Sequence, residues 1–261
     1  MNPSSNGKIQ RVLITNDDGI NATGLKVLED IAHGLADEVW VFAPDNNCSG
    51  SGRSLTLNRD LKITAHTPQR FSCDGTPADC IVLAVGHYML DSLPDLVLSG
   101  VNLGMNVADD ITCSGTIGAA WEACVHNIPA IALSQKINTK HPPEHAVDAY
   151  AITREAAPSL LKSLLQNGWG EDIILNINFP FLPANGIKAT EVGRHKASDE
   201  IIPLDADHAF RIGLLRQRRE RQAGGYDYDD IMNDYITVTP LALNMTHSKE
   251  LNRLENLFAK Q

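Results

Sequence analysis

Short apolar runs and longer helical patterns take turns through the first half of the chain. VLIT at 12–15 is followed by an amphipathic stretch from Leu25 to Leu35 and then by VWVFA at 39–43. Such alternation is βαβ in character, because a parallel strand covered on both faces reads as a continuous β-branched run and its crossover reads as a helix. The pattern continues with RFSC at 70–73, a helix from about Pro77 to Tyr88, LVLSG at 96–100, a helix from about Ile117 to His126, and AIALS at 130–134. Residues 1–135 therefore read as a Rossmann-like body: a mostly parallel sheet flanked by helices.

The second half follows a looser pattern. A long helix is expected from about His145 to Gln166, and IILNINFP at 173–180 places Asn176 and Asn178 at alternate positions, as in a strand with one polar face. From about Ile187 the runs IKATEV, HAFRIGLL and ITVTPL are separated by polar, Gly-rich or charged segments, which predicts an antiparallel extension or arm. The segment from Ser248 onward reads as a short amphipathic helix or a frayed tail. Residues 136–261 thus complete the α/β body and add the arm, within a single structural domain.

Composition narrows the class. With 261 residues, 43% hydrophobic and 21% charged, the chain can bury a full core. No stretch approaches the roughly 18 apolar residues of a membrane span, and the first residues lack a secretory apolar segment, so a cytoplasmic location is expected. The five cysteines never form C-x-x-C, which argues against a disulfide framework and against structural zinc. Cys80 and Cys124 fall in apolar helical patterns and read as core. A formal net charge of -10 disfavours a nucleic-acid polymer as partner. The one basic run, Arg216 to Arg221, reads as a solvated loop or subunit contact.

In an open parallel sheet, ligands gather at the carboxyl ends of the strands. Three of those ends carry unusual clusters: Asn16-Asp17-Asp18-Gly19, then Pro44 to Gly52, then Ser99 to Asn106. Adjacent carboxylates repel unless a cation lies between them or one takes a proton. Asp17 and Asp18, meeting hydroxyl and amide oxygens from the other two loops, predict a hard divalent cation, Mg²⁺ or Mn²⁺. The plainer alternative is a turn in which Asp18 caps the next helix. Ser114, Gly115 and Thr116 open the helix after the third cluster, where unpaired N–H groups can receive a phosphate. Thr76, Pro77 and Asp79 read as an ordinary capped helix start. His195 and His208 read as surface or interface residues, and Asp227, Asp229 and Asp230 as a solvated helix start.

Taken together, the blocks TNDDGINATGL, VFAPDNNCSGSGRSLTL, DGTPADC, PDLVLSGVNLGMNVADD, SGTIGAAWEA and ITVTPL resemble the SurE family of survival-protein nucleotidases. The resemblance is dense over the first 135 residues and sparse beyond. It implies hydrolysis of nucleoside 5′- and 3′-monophosphates and sometimes short polyphosphate, one divalent metal ion per subunit, and a homodimer or homotetramer built through the C-terminal part. It further implies Asp17, Asp18, Ser49 and Asn102 as metal ligands, with Asp17 and Asp18 catalytic. Ser114 to Thr116 are implied beside the phosphate, and Asn106, Asp109 and Asp110 at the border of the same pocket. Arg53 stands where Asn or His is usual in the family; it either grips phosphate or removes a polar group used in proton transfer. Cys113 replaces a common aromatic residue, and 209–221 lack the usual aromatic-rich strand.

Two rivals remain at this point: a metal-dependent nucleotide-sugar transferase, and a nucleotide-sensing binding module without turnover. An NAD-dependent dehydrogenase is disfavoured, because the first strand ends in Asn-Asp-Asp-Gly and not in G-x-G-x-x-G.

Overall fold

A computed structural model describes residues 9–137, 148–205, 208–218 and 225–259. Strands β1 (Ile9–Thr15) and β2 (Ala36–Pro44) flank helix α1 (Thr23–Leu35). Then come β3 (Ile63–Thr67), β4 (Arg70–Cys73) and α2 (Pro77–Leu83), which runs on as a single π-helical stretch through Tyr88. β5 (Leu96–Leu103), a 3-10 segment (Ala108–Cys113), α3 (Gly115–Val125), β6 (Ala130–Gln135), α4 (Ala151–Asn167) and β7 (Ile173–Phe179) follow. The remainder holds β8 (Ile187–Ala189), β9 (Lys196–Pro203), β10 (Phe210–Arg218), α5 (Asp227–Met232), β11 (Ile236–Ala242) and α6 (Ser248–Phe258).

Nine strands form one sheet in the order β3-β4-β2-β1-β5-β6-β7-β11-β8. From β4 to β7 every pair is parallel, as the continuous apolar runs predict. Alternate residues of the central strands face opposite layers: Ile14 packs into the core shared by α1 and α4, and Leu13 into the core shared by α2 and α3. The chain winds one way from β1 through β2 and the other way from β5 through β7, so the order reverses between β1 and β5. That switch point leaves a crevice between diverging loops at the carboxyl ends.

Local signals are met closely at α2. Thr76 accepts from the Asp79 N–H and the Asp79 side chain bonds back to the Thr76 N–H, a complete capping box with Pro77 in the first turn. Cys80 and Cys124 are buried. The long helix begins at Ala151, and the predicted start at 145 lies outside the described residues. Strand β3 has no counterpart in the sequence reading: ITAHT is an edge strand with no buried residue, so it lacks the apolar run that marks its neighbours.

In the C-terminal part, β9 and β10 form a separate antiparallel pair, and β11 runs antiparallel to β7, as expected of an extension. β8 instead pairs parallel with β11. The segment after Ser248 is a helix with no buried residue. The side chains at 216–218, and residues 219–221 altogether, lie outside the described residues. Among the described residues no helix is long and apolar enough to cross a membrane.

Candidate active site

The turn after β1 is made by Asn16, whose amide donates to the Gly19 carbonyl at 2.9 Å and accepts from the Gly19 N–H at 3.2 Å. Gly19 has φ +102°, and a Cβ there would lie 3.1 Å from the Asn46 backbone, so the position requires glycine. The N-cap residue of helix α1 is Ala22, and no side chain caps the helix. Asp18 is therefore not the helix cap, and both carboxylates are left to other partners.

Asp17 is 3% exposed, and its Oδ1 accepts from the Thr116 hydroxyl at 2.6 Å. Burial raises its pKa; the Thr116 hydroxyl and backbone N–H groups that include Thr116 and Gly115 offset only part of that rise. Asp18 is raised first by burial and next by the charge of Asp17. Among the described residues its oxygens receive only long bonds, from the Leu103 N–H at 3.3 Å and the Asn47 amide at 3.4 Å. No Lys or Arg forms an ion pair with either carboxylate among the described residues.

Two loops and one helix close on this pair. The Cys48 N–H donates to the Asp17 carbonyl at 2.7 Å, and the Ser49 N–H to Asn47 Oδ1 at 2.8 Å, which carries the exposed Ser49 beside the β1 end. At the end of β5, Asn102 spends its amide N–H on the Gly104 carbonyl at 2.9 Å and keeps its amide oxygen as an acceptor. α3 enters through Ser114, which accepts from the Ile117 N–H at 3.2 Å. A Cβ on Gly115 would lie 2.7 Å from Ser51 Oγ and 2.8 Å from the Asp17 Cβ, so only glycine lets the helix start sit against Asp17. Ser51 Oγ is buried and has no hydrogen-bond partner among the described residues. Ser51 lies within the cluster Pro44 to Gly52, but a serine in a Ser/Gly run carries no pattern that would single it out.

Other expected contacts are engaged elsewhere. Arg53 Nε donates to Glu122 Oε2 at 2.7 Å, and the Glu122 side chain is only 6% exposed. The guanidinium is thereby tied to α3. The Asn106 N–H donates to Asn178 Oδ1, its side-chain amide to Ser134 Oγ, and its carbonyl accepts from Asn176 and Asn178. The polar face expected on β7 thus holds Asn106 in place. Asp109 accepts from the N–H groups of His195 and Lys196, at 2.8 and 2.9 Å.

Two expectations are corrected. His195 is no surface residue: it is 3% exposed, stacks on Tyr228 at 4.4 Å between ring centroids, and reaches Asp110 at 3.1 Å through Nε2. His208 is exposed. Asp227, Asp229 and Asp230 do begin α5, but they are 0%, 4% and 2% exposed. Asp227 is held by the N–H groups of Ala108, Gly193 and Tyr228 at 2.7–2.9 Å, and Asp230 by Lys188 at 2.6 Å. Burial raises the Asp227 pKa against those N–H groups.

With this geometry, similarity to known proteins decides the family. The family model of the survival protein SurE matches residues 12–199, the span that carries the carboxylate pair, all three loops and α3. The chain belongs to the SurE family. It is 41% identical to the 5′-nucleotidase SurE of Paramagnetospirillum magneticum and 40% identical to that of Caulobacter vibrioides, in each case over 95% of both chains. The crystal structure of the SurE protein from Aquifex aeolicus superposes with a TM-score of 0.80 at 32% identity, covering 95% of this chain and 99% of that one. The α/β fold with its mostly parallel sheet is therefore that of a SurE protein.

A metal ion can be tested against the residues of this SurE-family site. Among the described residues no three His, Cys, Asp or Glu side chains gather as a ligand cluster. The donors at hand are two carboxylates, Asp17 raised in pKa by burial and Asp18 by burial and the charge of Asp17, plus the neutral oxygens of Asn102 and Ser49. That set suits a hard cation that keeps several waters, and it does not suit zinc.

Proposed function

We propose that this chain is a 5′-nucleotidase, a phosphomonoesterase that converts nucleoside 5′-monophosphates to nucleoside and phosphate with one Mg²⁺ or Mn²⁺ held by Asp17, Asp18, Ser49 and Asn102. The observation that carries the reading is the carboxylate pair, Asp17 buried and Asp18 half-buried, with no Lys or Arg ion pair among the described residues, set at the switch point of the sheet and against the start of α3. The names of the relatives agree with it. Activity on 3′-monophosphates and short polyphosphate is the wider expectation for the same site, and a homodimer or homotetramer is the expected assembly.

When bound, the cation supplies Lewis acidity at a phosphoryl oxygen and makes a water more acidic at neutral pH. The chain supplies placement. The Thr116 hydroxyl fixes Asp17 Oδ1, and the Leu103 N–H fixes one oxygen of Asp18. The amino end of α3, capped by Ser114, presents its partial positive charge where a phosphoryl group meets Asp17 and favours charge that develops there. We assign the acceptance of the attacking water's proton to Asp18, the more open of the two carboxylates.

The test is inorganic phosphate release from a panel of 5′- and 3′-nucleoside monophosphates, using chelator-treated protein with and without added Mn²⁺ or Mg²⁺. Metal-restored release is expected. Folded, metal-loaded protein that binds nucleotide without releasing phosphate would make it a binding module. A donor-dependent transfer product without phosphate release would make it a transferase.

A further inference from the structure

Glu122 is a buried carboxylate of α3 that the chemistry above does not use. Arg53 Nε donates to its Oε2 at 2.7 Å, and its Oε1 lies 3.6 Å from Nε2 of His126. Taking a charge this far out of water is costly unless a partner answers it, so the pairing with Arg53 is strongly specified. Arg53 in turn follows directly on the loop that carries Ser49.

Three consecutive residues of that loop run along one stripe of the helix. A Cβ on Gly115 would lie 2.7 Å from Ser51 Oγ, and a Cβ on Gly118 would overlap the Gly52 carbonyl and lie 2.9 Å from the Arg53 Cα. Arg53 then reaches Glu122. Gly115, Gly118 and Glu122 are spaced by three and four positions, which stacks them on one helix face. Just before the helix, the Cys113 carbonyl accepts from the Gly52 N–H at 3.0 Å. Among the described residues, Arg53–Glu122 is the one side-chain hydrogen bond between 49–53 and α3. Within the loop, the Ser51 N–H donates to the Cys48 carbonyl at 3.1 Å and the Ser54 N–H to the Ser51 carbonyl at 3.3 Å. A shift of Arg53 along the helix is therefore passed to the turn that holds Ser49.

We infer that Glu122 is a positioning residue for the metal site: through Arg53 it sets the height of the Ser49 loop along α3. Asp17 is tied to the same helix by the Thr116 hydroxyl at 2.6 Å, so α3 is the common reference for both ligands. The inference rests on the metal-dependent reading of the site and deepens it. Glu122 acts at a distance, since seven residues of helix, about 10 Å, separate it from Gly115. A small hard cation demands strict ligand geometry, and a ligand on a loop holds that geometry only if its supports are fixed.

The experiment compares the wild type with Glu122→Gln, Arg53→Gln and Arg53→Lys. Leu161→Ala, a truncation in the core between α1 and α4, is the control for lost stability alone. Mn²⁺ affinity is measured calorimetrically, hydrogen exchange of 48–53 on metal-free protein by mass spectrometry, and kcat and KM for AMP by phosphate release. Glu122→Gln and Arg53→Gln are each expected to weaken Mn²⁺ binding about tenfold, to speed exchange of 48–53, and to lower kcat with KM little changed. Arg53→Lys keeps a cation for the single bond to Glu122 and is expected to stay within about threefold of the wild type. Leu161→Ala is expected to lower stability without moving Mn²⁺ affinity or kcat per folded molecule.

If Glu122→Gln does not fold, the two Arg53 variants carry the test, because that side chain is 35% exposed. Wild-type Mn²⁺ affinity or wild-type exchange in the folded glutamine variants overturns the inference. So does an equal loss of affinity in Leu161→Ala, which would make the effect one of general stability. If the wild type neither binds Mn²⁺ nor releases phosphate, the metal-dependent reading falls, and exchange on the metal-free protein decides the loop alone: faster in the glutamine variants supports the hold of Glu122, and equal rates overturn it.

Discussion

Two groups of aspartates look alike in the sequence and are treated in opposite ways by the fold. At the end of β1, Asp17 and Asp18 stand side by side: buried Asp17 is bound by the Thr116 hydroxyl and by N–H groups at the start of α3, while half-buried Asp18 receives only long bonds among the described residues and has its pKa raised by the charge of Asp17. At the start of α5, Asp227 is likewise buried, yet three backbone N–H groups bind it and His195 lies near enough to lower its pKa, while Lys188 answers Asp230. Burial penalises a carboxylate in both places, and what differs is the compensation. A carboxylate whose lone pairs are filled by the protein is a structural tie. One left under-satisfied beside another negative charge has a place for a ligand to complete.

The largest expected effect comes from removing charge at the first group. Asp17→Asn keeps an acceptor for the Thr116 hydroxyl but should lower phosphate release on the order of 10²-fold or more. The same change should raise the thermal midpoint of the metal-free protein, by roughly 2–4 °C for each kcal/mol of relieved burial and repulsion. The sign follows from the raised carboxyl pKa: the metal-free fold loses stability as pH rises from 3.8 through the folded-state value, and the amide has no such loss. A melting curve that drops instead would place Asp17 among the structural ties.

Next in size is Asp227→Ala, which strands three buried N–H donors and should cost on the order of 3 kcal/mol in urea unfolding. Activity per folded molecule should change far less than at Asp17. A cost below about 1 kcal/mol would erase the distinction between the two groups.

Arg53→Gln probes an intermediate case. Glu122 would lose its 2.7 Å partner while keeping only His126 at 3.6 Å, so a destabilisation of roughly 1–3 kcal/mol is expected. With the guanidinium held on α3, KM for AMP should move less than about threefold. A large rise in KM with unchanged stability would return Arg53 to the phosphate.

The contrast between the two groups also marks how far the sequence could be read. Everything set by near neighbours was legible: the parallel strands from their apolar runs, the Thr76–Asp79 cap from its spacing, and the carboxylate pair from its position after VLIT. What the sequence hid depends on partners far along the chain. The Ala108 N–H that holds Asp227 is 119 positions away, and the His195 and Lys196 N–H groups on Asp109 are 86 and 87 positions away. A buried, satisfied aspartate and a solvated one have the same local pattern, so the sequence predicts a solvated start for α5 and a surface or interface position for His195. β3 escaped for the converse reason, since an exposed edge strand has no apolar signature.

Asp109 supplies the smallest and most direct test of that contrast. Burial raises its pKa, but the Lys196 and His195 N–H groups and the charge of His195 outweigh it, so the net shift is downward. A depressed carboxyl pKa contributes stability above the unfolded value of 3.8, and that contribution is lost as pH falls through the lower folded value. Asp109→Asn should therefore lower the neutral plateau and flatten the acid limb below about pH 4 by the same small amount, small because the side chain is 29% exposed and solvent screens it. An acid limb as steep as that of the wild type would mean that these N–H bonds do not favour the ionised form. The distinction between filled and unfilled carboxylates would then rest on Asp227 alone.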